Sequence, residues 1–393
     1  MSATVLVINS GSSSVKYQLV DPSTGEALAT GLIEQIGEEL GHVRHKAGGE
    51  TYDEHLVVPD HTAGMTEMTR MFETHGPALH DAGIVAVGHR VVQGGKYFDG
   101  PALVTEEVLD LIERLAPLAP LHNPAHLVGL RSARTAFPDV PHVVVFDTAF
   151  FQSLPDAAAT YALKRDVAEQ YEIRRYGAHG TSLPFVSSAV AQSLGRSDLK
   201  QVVLHLGNGA SASAVVGGQA VDTSMGLTPL EGLVMGTRTG DIDPAVVFHL
   251  KRNAGMDVDT IDTLFNKQSG LKGLCGDNDM RGVRSRADGG GADARLALDV
   301  YAHRLRKYVG SYAAVMDGID VLTFTAGIGE NDADIRREVC AGLGFLGLEL
   351  DEAKNAERSG DARVISTADS KVTVMVVPTN EELAIARQAV SLI

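Results

Sequence analysis

Apolar runs and alternations divide the chain into strands and helices. Val5 to Ile8 is a continuous apolar run, the pattern of a buried strand. Asn9-Ser10-Gly11-Ser12-Ser13-Ser14 follows, and Val15, Tyr17 and Leu19 then alternate with Lys16 and Gln18, which predicts a second strand. Further strands are predicted at Val85–Arg90, Val143–Phe146, Val321–Thr325 and Val372–Val377. Thr105 reads as the cap of a helix with Glu106 and Glu107 in its first turn and Val108, Leu111, Ile112 and Leu115 on its apolar face. Leu298, Tyr301, Leu305, Tyr308 and Tyr312 repeat with helical period and predict a long amphipathic helix.

Between these elements lie small-residue turns. The first strand pair encloses a Gly/Ser turn beside Lys16, suited either to a phosphate approached by backbone N–H groups or to a plain β-hairpin. It is not a Walker loop, since no G-x-x-x-x-G-K-[ST] pattern occurs. A relative recurs from Gln201, where an apolar strand runs into Gly207-Asn208-Gly209-Ala210-Ser211 and a second strand ends at Asp222. Arg174 to Thr181 is a Gly-containing loop with His179 flanked by small residues; its plain alternative is a surface turn. Ala326-Gly327-Ile328-Gly329-Glu330-Asn331 reads as a loop leading into a helix, suited to phosphate or ribose. Thr379 and Glu382 have capping-box spacing, which would leave Glu381 either pointing at a metal or solvated in the first turn.

The stretch Asp222–Pro244, DTSMGLTPLEGLVMGTRTGDIDP, has neither period and reads as an ordered loop. Leu227, Leu230, Leu233, Val234 and Met235 are too many large apolar groups for a disordered tether. Its one basic residue, Arg238, is expected to face an anion; the plain alternative is a surface ion pair.

At 393 residues, two domains are expected. The net charge of −16 argues against nucleic acid, and it requires any phosphate site to be built from local cations and amides. No apolar run approaches the roughly 20 residues of a membrane span. MSATVLVINSGSS lacks a basic leader, and Cys275 and Cys340 show neither metal nor disulfide-scaffold spacing, so a cytoplasmic protein is expected. Glycine turns, isolated arginines and unpaired acids suit phosphate handling, and the hard oxygens of Asn9, Asp147 and Glu381 suit Mg²⁺.

VLVINSGSSSVKYQLVD and DTSMGLTPLEGLVMGTRTGDIDP resemble the two signatures of the acetate kinase family. GHRVV, APLHNPA, FDTAF, RRYGAHGTS, HLGNGAS, FTAGIGEN and PTNEEL resemble further family blocks in the same order. The resemblance implies an α/β protein of two duplicated ribonuclease H-like, actin-like ATPase domains with a nucleotide cleft between them. Residues 1–149 plus 382–393 would form the first domain and 150–381 the second. It implies reversible, direct in-line transfer of a phosphoryl group from ATP to acetate, with Mg²⁺ or alternatively Mn²⁺, in a homodimer.

By the same resemblance, Asn9 and Glu381 are metal positions. Lys16, His205, Leu206, Gly207, Asn208, Gly209, Asp279, Met280, Arg281, Gly327, Ile328, Gly329, Glu330 and Asn331 are nucleotide contacts. Arg90 would bind the carboxylate; Val92, Leu121, Ala178 and Pro229 would form the acyl pocket; Asp147, His179 and Arg238 would be catalytic. Ala178 stands where the family usually has Phe, which points to a wider acyl pocket and to a propionate or butyrate kinase as the alternative. Gln93, Phe151 and Leu183 stand where histidines are common. A nucleotide-driven binding protein of the same superfamily is the non-enzymatic alternative, and it should lack the Arg90, His179 and Arg238 set.

Overall fold

The computed structural model describes residues 3–120 and 122–393. The chain divides into two compact units. The first runs to Gln152 and takes back Asn380–Ile393; the second is Ser153–Thr379. The breaks differ by two or three residues from those expected, and Glu381 consequently belongs to the first unit, not the second.

The first unit is built on an eight-stranded sheet. Its strands are β1 (Thr4–Ser10), β2 (Ser14–Val20), β3 (Ala27–Glu34), β4 (Gly41–Ala47), β5 (Glu50–Leu56), β6 (Ile84–Val91), β7 (Ala102–Leu103) and β8 (His142–Phe146). Their order is β5-β4-β3-β2-β1-β6-β8-β7. β1 to β5 form an antiparallel meander, whereas β1, β6 and β8 run parallel. Every residue of β8 is buried, which is why its sequence is an unbroken apolar run apart from His142.

The second unit carries a six-stranded sheet of β9 (Lys200–Leu206), β10 (Ala210–Val216), β11 (Gln219–Thr223), β12 (Val321–Thr325), β13 (Arg363–Val364) and β14 (Thr373–Val376). Its order is β11-β10-β9-β12-β14-β13. The stretch from Ala210 to Thr223, expected as one strand, is two antiparallel strands joined at Gly217-Gly218, both with positive φ. In both sheets a three-strand antiparallel meander gives its first strand a parallel neighbour, and a second parallel strand follows: β3-β2-β1-β6-β8 and β11-β10-β9-β12-β14. This is the duplication that the two glycine turns hinted at.

Helices cover the sheets. The long helix is Ala292–Val315, and it buries Leu298, Tyr301, Leu305 and Tyr312 against the second sheet's apolar cluster. Glu381–Val390 buries Leu383, Ile385 and its alanines. Burying one such branched side chain is worth about 1.5–3 kcal/mol. Gly88 in β6 admits this helix: a Cβ there would lie 2.8 Å from Ile385 Cγ2. The helix capped by Thr105 spans Glu106–Arg114, with Leu109 and Ile112 its buried residues. No helix among the described residues is long and apolar enough to cross a membrane.

Candidate active site

The first unit gathers its candidate residues at the C-terminal ends of parallel strands, where open α/β sheets place ligands. Asn9 lies at the end of β1, Arg90 near the end of β6, and Asp147 directly after β8. Arg90 is a fork on one carboxylate: Nε donates to Asp147 Oδ1 at 3.2 Å and Nη2 to Oδ2 at 2.5 Å. Glu381 Oε2 lies 3.9 Å from the same Nε. Burial opposes the charge on Arg90, but Asp147 and Glu381 outweigh it and hold its pKa above the ordinary value. Burial pushes the Glu381 carboxyl up, Arg90 pulls it down, and Asp147 pushes it up again. Val92 is buried beside Gln93, whose backbone N–H donates to Asn123 Oδ1 at 3.1 Å. Leu121, expected in the acyl pocket, lies outside the described residues.

The capping box expected at Thr379 and Glu382 is not made. Asn380 caps the last helix, its side chain accepting from Leu383 N at 2.9 Å. Thr379 instead bonds Ser182 Oγ at 2.7 Å, and Glu382 pairs with Lys16. An Asn one residue along offers the same acceptor with shorter reach. Lys16, expected as a nucleotide contact, belongs to the first unit and pairs there with Glu382.

In the second unit His179 and Arg238 converge on Gly209. A Cβ at Gly209 would lie 3.6 Å from both His179 Nε2 and Arg238 Nη1. His179 Nδ1 bonds Ser211 Oγ at 3.0 Å, and its ring stacks on His205 at 4.1 Å between centroids. His205 Nδ1 in turn bonds Ser182 Oγ at 3.0 Å. Arg238 Nη1 donates to Pro229 O at 3.0 Å. No carboxylate pairs with Arg238 among the described residues, so the surface ion pair weighed as the plain alternative is not what holds it. Burial depresses its pKa.

The loop carrying Arg238 has its backbone paired on both sides. Gly232 N donates to Asp241 Oδ1 and Asp241 N to Gly232 O, each at 2.9 Å, which closes the ends of the segment. Tyr308 OH donates to Asp241 Oδ2 at 2.9 Å. Met235 O accepts from Leu271 N, and Thr237 O from Ser269 N. Gly240 has φ of 65°, and a Cβ there would be 2.2 Å from Leu233 O, so only glycine fits the closure. Met225, Leu233, Val234 and Met235 are buried, as their apolar character requires.

A cavity of about 1120 Å³ in the same unit is lined by Gly207, Asn208, Asp279, Met280, Arg281, Gly327, Ile328, Glu330 and Asn331. It thus unites the three separated segments expected to hold a nucleotide. His205, Leu206, Gly209 and Gly329, also expected as nucleotide contacts, are not among its lining residues. The Ala326–Asn331 segment, expected as a loop, is itself a six-residue helix, followed by another at Ala333–Cys340. Ala326 has φ of 65°, a left-handed conformation that costs a non-glycine residue on the order of 1 kcal/mol or more.

Sequence reading missed Arg336, which fixes this turn. It is 2% exposed; Nη1 donates to Gly329 O and Glu330 O, each at 2.9 Å, and Nε to Asn355 Oδ1 at 2.8 Å. Burial pushes its pKa down to about 10. The signal was present: Arg336 shares a helical stripe with buried Ile335, Val339 and Cys340. Phe151 and Leu183, found where histidines are common, are both fully buried core residues.

Residues 4–387 match the model of the acetokinase family. An acetate kinase of Leifsonia xyli subsp. xyli is 61% identical over 99% of this chain and 98% of its own length. One of Streptomyces coelicolor is 55% identical over 100% and 98%. Among solved structures, an acetate kinase of Porphyromonas gingivalis superposes with a TM-score of 0.94 at 41% identity over 99% of each chain. A propionate kinase of Francisella tularensis gives 0.95 at 43% over 100% of each. The chain belongs to the acetokinase family, with the two-domain actin-like ATPase fold of that family.

Proposed function

We propose that this chain transfers the γ-phosphoryl group of ATP to the carboxylate of acetate, reversibly, giving acetyl phosphate and ADP. The observation that carries this reading is Arg238, a half-buried cation with no acidic partner among the described residues, held beside His179 Nε2. A cation kept without a counter-ion suits a group that acquires negative charge during reaction.

The nucleotide is assigned to the second unit's cavity, whose Asn208, Asp279 and Arg281 offer polar contacts and whose Gly207 and Gly327 allow close backbone approach. The acid is assigned to Arg90, whose Nη1 is left for a substrate carboxylate while Asp147 holds Nε and Nη2. Val92, Ala178 and Pro229 are assigned to its alkyl group. A carboxylate oxygen is already a competent nucleophile, so placement and charge stabilisation dominate and no strong base is needed. His179 would donate to an equatorial oxygen of the transferring group, and Arg238 would meet its charge. Asp147 would orient Arg90 and the acid, and the transfer would be direct and in line.

The donor set fits Mg²⁺. Asn9, Asp147 and Glu381 all belong to the first unit and offer the hard oxygens that this cation takes. Asn9 and Glu381 would hold the ion, which when bound neutralises phosphate charge. We also assign a homodimer in the cytoplasm. The helix Ala245–Ala254 buries none of its residues, and its Phe248 is exposed. Trapping acyl phosphate with hydroxylamine across two-, three- and four-carbon acids tests the function. Hydroxamate formation that depends on acid, ATP and Mg²⁺ is expected; ATP turnover independent of added acid would overturn it.

A further inference from the structure

Glu231 sits in the loop between Pro229 and Arg238, and its carboxylate is taken up from two sides. Arg175 Nη2 donates to Oε1 at 2.7 Å, and the Tyr161 hydroxyl donates to Oε2. The pair is largely shielded, with Arg175 16% and Glu231 32% exposed. Arg175 Nη1 reaches the carbonyls of Thr223, Ser224 and Met225 at 3.0, 3.4 and 3.2 Å, and Nε reaches Ala158 O at 3.3 Å. The Tyr161 oxygen also accepts from Leu227 N at 3.0 Å. Gly226 is wedged against this junction: a Cβ there would lie 1.8 Å from Glu231 Oε2 and 2.0 Å from Tyr161 OH. Its carbonyl accepts from Tyr176 N at 3.0 Å and Gly177 N at 3.3 Å, the residues just before Ala178 and His179.

One carboxylate therefore links both loops of the second unit's site. On one side it fixes the segment whose Pro229 carbonyl receives Arg238; on the other it fixes the segment that presents Ala178 and His179. None of the three side chains is needed to touch substrate. We propose that Tyr161, Glu231 and Arg175 are positioning residues that set the spacing of Pro229 and Arg238 against Ala178 and His179, and so determine which acid chain length is used and how fast. The inference rests on the acyl-acceptor reading above.

The test measures hydroxamate formation with acetate and with propionate, the KM for MgATP, and Tm, for wild type, Tyr161→Phe, Glu231→Gln and Arg175→Lys. Tyr161→Phe deletes only a hydroxyl and keeps the experiment informative if the charge variants fold poorly. A small misplacement of reacting groups is costly, so kcat/KM for the acid should fall about 10-fold or more while the MgATP KM moves less than about twofold. The propionate-to-acetate ratio should shift as well. The double variant Tyr161→Phe/Glu231→Gln should lose little more than Glu231→Gln alone, because both act through one carboxylate. Unchanged acid kinetics and ratio in Tyr161→Phe and Glu231→Gln would overturn the proposal. So would equal losses toward acid and MgATP in step with Tm, which mark a purely structural clamp. A wild type that forms no hydroxamate with any acid would instead remove the acyl-acceptor reading, and this inference with it.

Discussion

Replacing Arg238 with alanine should separate activity from stability. Among the described residues the guanidinium makes one hydrogen bond to an oxygen, from Nη1 to Pro229 O at 3.0 Å, and a 3.5 Å approach to Met235 Sδ. A hydrogen bond of this kind contributes about 1 kcal/mol to stability. Against that stands a desolvated charge with no acidic partner among the described residues, which burial already disfavours. The two effects offset, so the stability of the second unit should change by no more than about 1 kcal/mol in either direction. Turnover should respond quite differently. If Arg238 meets charge that appears only during transfer, its loss should lower kcat by about 10²–10³, or roughly 2.7–4 kcal/mol. The KM for MgATP should hardly move, because Arg238 does not line the cavity assigned to the nucleotide. Steady-state kinetics with both substrates varied, alongside thermal unfolding of the same preparations, decide the matter. Near-normal turnover in Arg238→Ala would refute the role. A large drop in Tm that accounts for the lost activity would refute the reasoning about its uncompensated charge.

Three other outcomes follow from particular contacts. If Ala178 leaves room in the acyl pocket, propionate should be used about as well as acetate or up to about fourfold better, since a buried CH₂ is worth about 0.8 kcal/mol; a strong preference for acetate in the acid series would contradict this. Burial lowers the pKa of His89 and takes that of His126 to about 3, from 6.5 when unfolded. Their contribution to stability is present above pH 6.5 and declines as pH falls below it, by up to about 1.4 kcal/mol per pH unit for each. His126→Leu, which removes two buried ring nitrogens without a well-formed hydrogen bond, should make the fall in Tm between pH 6.5 and 5 shallower, and an equally steep fall would count against it. Asn380→Ala should cost about 1 kcal/mol of stability by uncapping the last helix. Thr379→Val should cost less, and the reverse order in chemical denaturation would restore the capping box.

Much of the fold was legible because burial writes itself into period. β12 was expected at Val321–Thr325 and lies there; β8 and β14 differ by one residue at their ends. The long helix followed from the spacing of its buried leucines and tyrosines. What failed was local chemistry between near-equivalent groups. Asn380 and Thr379 both cap well, and sequence spacing favoured the wrong one because it cannot show that Ser182 claims Thr379. Ala326–Asn331 was read as loop from its glycines, yet Arg336 supplies the carbonyl partners that stabilise a helical turn there. The site's distant parts entered through family resemblance alone. No spacing rule brings Gly207, Asp279 and Gly327 to one cavity, because β9, β12 and the helix Met280–Asp288 meet only once the sheet is formed. Glu231 received no role, since its two partners lie 56 and 70 residues earlier in the chain.

The most direct test of the account is ³¹P NMR of ATP incubated with acetate, Mg²⁺ and catalytic amounts of the purified protein. Acetyl phosphate and ADP should appear in equal amounts, only when acetate and Mg²⁺ are both present, and the signals should reverse when ADP is added in excess. Release of orthophosphate without acetyl phosphate, or no change in ATP under these conditions, would contradict phosphoryl transfer to the carboxylate.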